Sequence, residues 1–280
     1  YSALDRAVEM SGASAANTVC GIASLSGRPA NVALVPGAEL AEGVGHEMRA
    51  VGVTYRRPPG EHRGPPGRCV IVVTPDAERT MNTYLGVSSE LSVDDLDESA
   101  IADSHVRYME GYLYDRDDAK AAVRRAAEVA HDNGRLVSLT LSDSFCVDRH
   151  RTDFRALVQD RVDLLFGNHD ELLSLYELDS FDDAVAALRE ECEFAAITVG
   201  ADGCVIVTPD DLLRVPAVPV DRVIDTTGAG DLFAAGFLHG FTSGHELETC
   251  GRFGSIAAAE VIGHVGPRPL VELRSLLGDG

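Results

Sequence analysis

Residues 225–231 read DTTGAGD, and the apolar, helix-prone stretch LFAAGF (232–237) follows at once. Small residues at 228–230 allow backbone N–H groups to surround an anion, and the helix that begins there points the positive end of its dipole at that anion. Asp231 then falls in the first helical turn. A carboxylate is out of place there for simple phosphate binding, but it suits removal of a proton from a hydroxyl that attacks a phosphate. The plainer alternative is a glycine-rich turn with Asp231 as an ordinary helix-start residue.

From residue 100 onward the sequence alternates predicted strands with predicted helices. The strands are predicted over 106–109, 136–141, 162–166, 195–199 and 204–208. The helices are predicted over 117–131, 152–159, 182–191, 230–242, 246–262 and 270–277. This β-α alternation predicts an α/β fold with a mostly parallel sheet that is covered on both faces.

The first hundred residues have a different pattern. Short strands are predicted over 32–35, 70–74 and 80–85, and residues 12–24 read as a tightly packed helix of small residues. The segment 58–67 (PPGEHRGPPG) is too rich in proline and glycine to be a regular element.

Three further segments have the spacing of binding motifs: 11–17 (SGASAAN), 168–171 (NHDE) and 198–203 (TVGADG). Together with 225–231 they resemble, in order, the signatures of the ribokinase-like (PfkB) family of small-molecule kinases. The resemblance covers residues 11 to about 266. Segments 109–115 (MEGYLYD) and 141–149 (LSDSFCVDR) are most similar to the bacterial adenosine-kinase-type members.

The resemblance implies a ribokinase-like three-layer α/β/α fold in a single domain over residues 1–280. Parts of about 30–36 and 68–110 are expected to form a small β lid over the substrate. Family members usually carry an initial strand with a substrate-binding aspartate before the first signature, and that strand is expected to be missing here. A homodimer through the lid is a further expectation.

For activity, the resemblance implies an ATP-dependent kinase that moves the γ-phosphoryl group to a primary hydroxyl of adenosine or a related nucleoside. Asp231 is the expected general base, and the loop formed by Gly228, Ala229 and Gly230 is the expected anion hole. The residues expected to bind ATP are Thr198, Gly200, Gly203, Thr227, Gly228 and Gly230. For the segment 198–203 alone, a hairpin turn in which glycine supplies positive φ is the plainer interpretation.

The acceptor is expected to contact Gly12, Ser14, Asn17, Tyr112 and Asp231. The sequence departs from the family pattern at Ala13, where the second glycine of the first signature usually stands. A methyl group there can crowd a ribose or oppose a positive φ.

An apolar slot for a nucleobase is predicted from the aromatic residues Tyr112, Tyr114 and Phe145. A sugar kinase of the same family, acting on ribose, fructose or 2-keto-3-deoxygluconate, is the alternative, and Arg107 or Arg149 could then meet a sugar acid. Arg79 is a weaker candidate for reaching phosphate from the lid. A non-catalytic nucleotide-binding relative is the third interpretation, motivated by Ala13 and the absent first strand.

Two cation sites are expected. Asn168 and Glu171 lie three apart, so on a helix they share a face, and their oxygens suit magnesium that is held partly through water. On spacing alone the pair favours a helix cap, and the two roles are expected to coexist. The resemblance also implies a potassium site at Asp225 and Thr227.

The formal net charge of −21, from 45 acidic and 24 basic residues, predicts repulsion from nucleic acid and from anionic membranes. The six cysteines are scattered without a C-x-x-C pair, which favours buried, reduced thiols in a cytoplasmic protein over a metal or disulfide framework. The expected partners are therefore small molecules, namely ATP and the acceptor.

Overall fold

The central element of the molecule is a six-stranded sheet. The computed structural model describes residues 8–32, 38–56, 58 and 64–278. The sheet has the strand order β10-β9-β8-β7-β6-β5. Its strands are β5 (Val106–Glu110), β6 (Leu136–Thr140), β7 (Leu164–Asn168), β8 (Phe194–Thr198), β9 (Cys204–Val207) and β10 (Leu212–Val215). Strands β5 to β8 are parallel, and β9 and β10 extend the sheet as antiparallel strands at one edge.

Helices cover both faces of this sheet. In chain order they are α1 (Ser14–Ser24), α2 (Ala38–Ala50), α3 (Glu98–Ala102), α4 (Asp117–Asp132), α5 (Ser144–Asp160), α6 (His169–Tyr176), α7 (Phe181–Arg189), α8 (Ala229–Thr242) and α9 (Leu247–Val261). None of the helices in the described part of the chain is both long and apolar enough to cross a membrane.

Alternation along the strands divides the core into two layers. Leu165 packs with the apolar residues of α4 to α7, while Leu164 and Phe166 pack on the opposite face with α8 and α9. Successive side chains of a strand point to opposite faces, so a strand that is buried on both sides must be apolar at every position. The three-layer α/β/α arrangement predicted from the β-α alternation is confirmed.

Two predicted helices differ from the structure. Helix α5 begins at Ser144, well before residue 152, because the Asp143 side chain accepts a hydrogen bond from the Cys146 N–H at 2.6 Å and caps the helix. The helix predicted over 270–277 is only a 3₁₀ turn, Leu273–Leu276. Side chains of other elements hold this segment, since the Leu273 N–H donates to the Ser24 hydroxyl at 2.8 Å.

The elements outside the central sheet are smaller. Strands β1 (Ala30–Val32) and β2 (Thr54–Arg56) form a short parallel pair, and β3 (Arg68–Val73) and β4 (Arg79–Tyr84) form an antiparallel hairpin. Helix α2 and strand β10 were not predicted from the sequence.

Within the range 68–110, parts of which were expected to form the lid, Val106–Glu110 pairs with β6 in the central sheet, and the lid itself stays a prediction. The other lid range, 30–36, and the expected absence of an initial strand fall partly on residues 33–37 and 1–7. These lie outside the described residues, so both points stay predictions.

The prediction of buried thiols is correct for five of the six cysteines. All six are free, and Cys69 is the exposed one. It lies near the start of β3, where the first three residues are all exposed.

Candidate active site

The loop 225–231, called the cradle below for the anion-binding role expected of it, leads into the start of α8. Gly228 is the N-cap of the helix and has φ 82°, a left-handed conformation. A Cβ atom at this position would lie 2.7 Å from the carbonyl oxygen of Pro267, so only glycine fits. A Cβ atom at Gly230 would meet nothing within 4 Å, which leaves space for a ligand beside its backbone.

Ala229 differs from its two neighbours in this cradle. Its N–H already donates to the carbonyl oxygen of Thr226, at 3.2 Å. Of the three backbone N–H groups expected to bind the anion, that of Ala229 already has a partner within the turn. The N–H groups of Gly228 and Gly230 are therefore the donors that we propose for the anion hole.

Asp231 lies in the first turn of α8, and α1 holds its carboxylate. The Ser14 hydroxyl donates to Oδ1 at 2.8 Å, and the Asn17 side-chain amide donates to Oδ2 at 2.9 Å. Burial raises the pKa of Asp231 above its ordinary value, although the hydrogen bonds from Asn17 and Ser14 oppose the shift. A carboxylate of raised basicity at a helix N-terminus has the chemistry of a general base beside an anion site.

The sequence placed Ser14 and Asn17 against the acceptor, and the structure shows them bound to Asp231. Asn17 is 4% exposed, and its Oδ1 atom is buried without a hydrogen-bond partner among the described residues. A buried acceptor without a donor is costly, and a ligand hydroxyl would satisfy it. The Oδ1 atom of Asn17 is therefore a free hydrogen-bond acceptor, beside the Nδ2 donor that contacts Asp231.

Ala13 adopts a positive φ, the conformation that an alanine at this usual glycine position was expected to oppose. It is the N-cap of α1 with φ 101°, in the region that favours glycine. The backbone therefore keeps the glycine-like path that brings Ser14 and Asn17 to Asp231, and Ala13 adopts it at a cost in strain.

Glu110 is a residue of this site that the sequence analysis missed. It ends β5 and accepts a hydrogen bond from the Ala15 N–H at 2.8 Å, directly beside Ser14. Its position at the carboxyl end of a parallel strand was the available signal, because α/β sheets bind their ligands at that edge.

The carboxylate of Asp225 accepts three hydrogen bonds that hold the cradle in place. Its Oδ1 accepts hydrogen bonds from the Thr227 N–H at 2.9 Å and the Thr227 hydroxyl at 2.6 Å, and its Oδ2 accepts one from the Gly266 N–H at 3.0 Å. Burial would raise the pKa of Asp225, but these hydrogen bonds outweigh it and lower the pKa. Both oxygens of Asp225 thus accept hydrogen bonds from the protein itself, and the potassium site at Asp225 and Thr227 stays a prediction.

Asn168 and Glu171 form a complete capping box at the start of α6. The Glu171 N–H donates to Asn168 Oδ1 at 2.9 Å, and the Asn168 N–H donates to Glu171 Oε2 at 3.0 Å. Burial raises the pKa of Glu171 to about 7, with further contributions from the charges of Asp143 and Asp231. The predicted cap is confirmed.

Oxygen donors amid excess negative charge also fit magnesium. Among the described residues, however, no group of three or more His, Cys, Asp or Glu side chains could by itself hold a metal ion. Any such ion would need ligands from water or a phosphate as well.

The segment 198–203 is the hairpin turn between β8 and β9. The Val199 N–H donates to the carbonyl oxygen of Gly203 at 2.8 Å. Gly203 has φ 95°, and a Cβ atom there would lie 2.1 Å from the Val215 carbonyl oxygen, so the turn requires glycine. Thr198 ends β8 directly opposite Asn168 in the parallel ladder. The turn therefore lies beside the capping box, at the same edge of the sheet.

The three aromatic residues of the predicted nucleobase slot lie in different surroundings. Tyr114 is 1% exposed and packs on Phe154 with 5.1 Å between ring centroids, so it is a core residue and its assignment to the slot is wrong. Tyr112 is half-buried, and its hydroxyl donates to the Ser142 carbonyl oxygen at 2.9 Å. Phe145 is 75% exposed. It follows Asp143 at the carboxyl edge of the sheet, where an exposed aromatic ring is available for stacking.

The turn of the β3–β4 hairpin contacts the loop 225–231. The Thr226 hydroxyl reaches the Ala77 carbonyl oxygen at 3.5 Å. Arg79, the first residue of β4, lies close enough for its positive charge to lower the pKa of Asp225 and of Asp231, against the larger effect of burial. The hairpin thus brings a cation to the carboxylates of Asp225 and Asp231.

A glycine-rich helix N-terminus beside a buried carboxylate, on an α/β/α scaffold, is suited to phosphoryl transfer. The model of the pfkB family carbohydrate kinases matches residues 5–273, and the chain belongs to that family. It is an ATP-dependent kinase that acts on a hydroxyl group.

Solved structures and curated relatives agree with this assignment. The adenosine kinase from Sinorhizobium meliloti is 48% identical, with a TM-score of 0.94, over 99% of this chain and 85% of that one. A probable sugar kinase protein from Rhizobium etli CFN 42 is 44% identical, with a TM-score of 0.93, over 99% and 84%. A nucleoside kinase from Methanothermobacter thermautotrophicus is 39% identical over 101 residues, which span 36% of this chain and 31% of that relative.

Proposed function

We propose that the protein transfers the γ-phosphoryl group of ATP to a primary hydroxyl of a nucleoside, with adenosine as the first candidate. The observation on which this rests is the pairing of Asp231 with α1 at 2.8 and 2.9 Å, beside the cradle of α8. Asp231 takes the proton of the acceptor hydroxyl while the oxygen of that hydroxyl bonds to the γ-phosphorus. The bond from this phosphorus to the bridging oxygen of ATP breaks.

On the donor side, the N–H groups of Gly228 and Gly230 stabilise the negative charge on the phosphoryl oxygens. The hairpin turn Thr198–Gly203 binds the nucleotide, and Thr227 contributes from the rim of the cradle. Asn168 and Glu171 would hold magnesium, partly through water. When bound, the ion neutralises charge on the phosphate oxygens.

On the acceptor side, Gly12, Ser14 and Asn17 bind the sugar hydroxyls, and the unpaired Oδ1 of Asn17 is the free acceptor that supports this. The exposed ring of Phe145 stacks on the nucleobase, with Tyr112 as a second wall. A base-stacking aromatic favours a nucleoside, because a free sugar has no flat apolar face of comparable size.

A sugar kinase is the second candidate. The Rhizobium etli relative, described as a probable sugar kinase, is nearly as similar to this chain as the adenosine kinase, at 44% against 48% identity. The two functions share their chemistry and differ only in the acceptor pocket. A coupled assay of ADP release with adenosine, inosine, ribose, fructose and 2-keto-3-deoxygluconate as acceptors separates them. Higher kcat/KM for a free sugar than for adenosine would overturn the nucleoside proposal and leave the kinase assignment intact.

Three finer proposals accompany this function. A potassium ion at Asp225 and Thr227 would support the cradle, and titration of potassium chloride against choline chloride at fixed magnesium tests it. A cytoplasmic location is supported by six free thiols and by ATP as the donor.

The third is a homodimer through the β3–β4 hairpin. The register of the hairpin puts Val70, Val72 and Tyr84 on one face, and they are 50%, 37% and 56% exposed. Exposed apolar residues on a hairpin of this kind suit a second copy. Sedimentation of the protein and of Val72→Asp tests this, and a monomeric unsubstituted protein would refute it.

A further inference from the structure

The first turn of α1 holds two carboxylates that come from different parts of the fold. The Ser14 hydroxyl donates to Asp231 of α8 at 2.8 Å, and the next residue, Ala15, donates its N–H to Glu110 of β5 at 2.8 Å. The helix has no capping side chain of its own, because Ala13 occupies the N-cap and the first turn contains no acidic residue. Glu110 therefore satisfies a backbone donor that the helix itself leaves free.

The surroundings of Glu110 couple it electrically to Asp231. Burial raises the pKa of Glu110, the hydrogen bond from Ala15 opposes this, and the negative charge of Asp231 raises it further. Asp231 therefore lies close enough to Glu110 for its charge to act there, whereas the pKa of Asp231 itself is set by burial, by the hydrogen bonds from Asn17 and Ser14, and by Arg79.

The other charged and titratable groups near this pair come from several elements. Arg107 on β5 lies near Glu110, and Arg79 on β4 lies near Asp231. Glu171 of α6 and the hydroxyls of Tyr108 and Tyr112 also experience the charge of Asp231. Helix α1 contributes only neutral groups to this pair.

We propose that Glu110 is a positioning residue for the general base, which fixes the first turn of α1 so that Ser14 and Asn17 hold Asp231 in its reactive orientation. The inference rests on the proposed role of Asp231. Glu110 acts through α1 and takes no proton itself, because the proton of the acceptor hydroxyl moves to Asp231. Small displacements of a reacting group are costly, and about 1 Å is enough to reduce a rate roughly 10²-fold.

The experiment compares Glu110→Gln and Glu110→Ala with the control Glu193→Gln. Gln keeps an oxygen for the Ala15 N–H but removes the charge, while Ala removes both. Glu193 is exposed and precedes β8 at the opposite edge of the sheet, so its substitution should change nothing. The measurements are kcat, KM for ATP and for the acceptor, the pH profile of kcat, and urea denaturation.

We expect Glu110→Ala to lower kcat by roughly 10- to 100-fold with both KM values within about threefold. Glu110→Gln should keep kcat within about fivefold of the unsubstituted enzyme. In Glu110→Ala the acidic limb of the kcat profile should move to higher pH, because Ser14 and Asn17, whose hydrogen bonds lower the pKa of Asp231, no longer hold it. In Glu110→Gln the acidic limb should stay in place. If Glu110→Ala does not fold, Glu110→Ser, whose side chain is also too short to reach the Ala15 N–H, takes its place.

Two results would overturn the proposal. An acceptor KM raised about tenfold or more with unchanged kcat would show that Glu110 binds the acceptor directly. An unchanged kcat and an unmoved acidic limb in Glu110→Ala would reduce Glu110 to a helix cap. Asp231→Asn is assayed in parallel, because high activity of that variant would refute the base assignment itself, whatever the Glu110 variants do.

Discussion

The carboxyl edge of the central sheet and the β3–β4 hairpin contact each other at the loop 225–231, yet they differ in almost every physical respect. At the sheet edge, Glu171 is 6% exposed and Asn17 is 4% exposed, and their backbones belong to helices packed on the sheet. In the hairpin, every residue of β4 is exposed. The first region can hold a carboxylate in one orientation, whereas the second has few neighbours that oppose its movement.

We therefore expect the two regions to have different roles. Groups that must be oriented before reaction lie on packed elements, where surrounding side chains fix them. Arg79 lies on the exposed strand β4, an element that can move with little loss of buried surface. Substitutions at the sheet edge should therefore act on the chemical step or on metal and substrate affinity, and substitutions in the hairpin should act on closure.

The largest effect is expected for Asp231→Asn. The amide cannot accept the proton of the acceptor hydroxyl, so kcat should fall by roughly 10²- to 10⁴-fold while ATP binding persists. Single-turnover kinetics and ATP titration by calorimetry measure the two quantities. Asp210→Asn, in the turn between β9 and β10, is the control and should behave as the unsubstituted enzyme. A loss below tenfold in Asp231→Asn would show that another group is the base.

The second-largest effect is expected for a substitution in the hairpin, Arg79→Ala. Arg79→Ala removes the positive charge that the hairpin brings to the cradle, and kcat should fall by roughly 10²-fold, the range for loss of one charge-stabilising group. The control is Arg68→Ala, since Arg68 pairs with Tyr84 and lies on the opposite face of the same hairpin. Equal losses in both variants would mean that the substitutions disturb the hairpin itself and that Arg79 has no special position.

Glu171→Gln should separate the cap from the metal site. Gln retains one oxygen for the Asn168 N–H but is a weaker metal ligand. The magnesium concentration for half-maximal activity should therefore rise roughly tenfold, equivalent to about 1.4 kcal/mol. An unchanged magnesium dependence would leave Asn168 and Glu171 as a cap only.

The same variant has a pH signature in the protein without ligands. Burial raises the pKa of Glu171 to about 7, so the stability that its protonated form contributes is fully present at low pH and is lost as the pH rises through 7. The free energy of unfolding of the unsubstituted protein should therefore fall relative to that of Glu171→Gln between pH 5 and pH 8. Urea denaturation at both pH values measures the difference.

A smaller effect is expected for Phe145→Ala. Loss of a stacking ring removes on the order of 1 kcal/mol, so KM for adenosine should rise about fivefold to tenfold while KM for ATP stays constant. Tyr114→Ala is the contrasting variant, because Tyr114 is a core residue and its loss should lower stability without a selective effect on one substrate. An increase in KM for ATP instead of adenosine would move Phe145 to the nucleotide side.

The smallest effect is one of stability. Ala13→Gly relieves a non-glycine residue at φ 101° and should raise the free energy of unfolding by roughly 0.5–1 kcal/mol after the entropy of the added glycine is subtracted. Ala23→Gly, inside the regular part of α1, should lower it by about 1 kcal/mol. Urea denaturation measures both, and a destabilised Ala13→Gly would show that the strain at this position is compensated elsewhere.

Much of this fold could be predicted from local patterns. The strands that are buried on both faces are mostly apolar, as in Cys204–Val207, and helices begin at recognisable caps such as Asn168 with Glu171. The segments that failed lack such patterns. Residues 270–277 have helical periodicity but are held by side chains of α1 and α9. Tyr114 was predicted to line the nucleobase slot because Tyr112, two residues before it, lies at the edge of the sheet.

The sequence by itself determined the glycine-rich turn at 228–230 and the helix that follows it, because small residues followed by an apolar run are local signals. It also determined the order of the motifs, and hence the family. The contact with Pro267 that requires glycine at 228 was decided by the tertiary structure. Only the tertiary structure decided what holds the base. Ser14 and Asn17 lie more than 200 positions before Asp231, and Glu110 lies about 95 positions after Ala15. Contacts over such separations follow from how the helices pack on the sheet, and no local spacing encodes that packing.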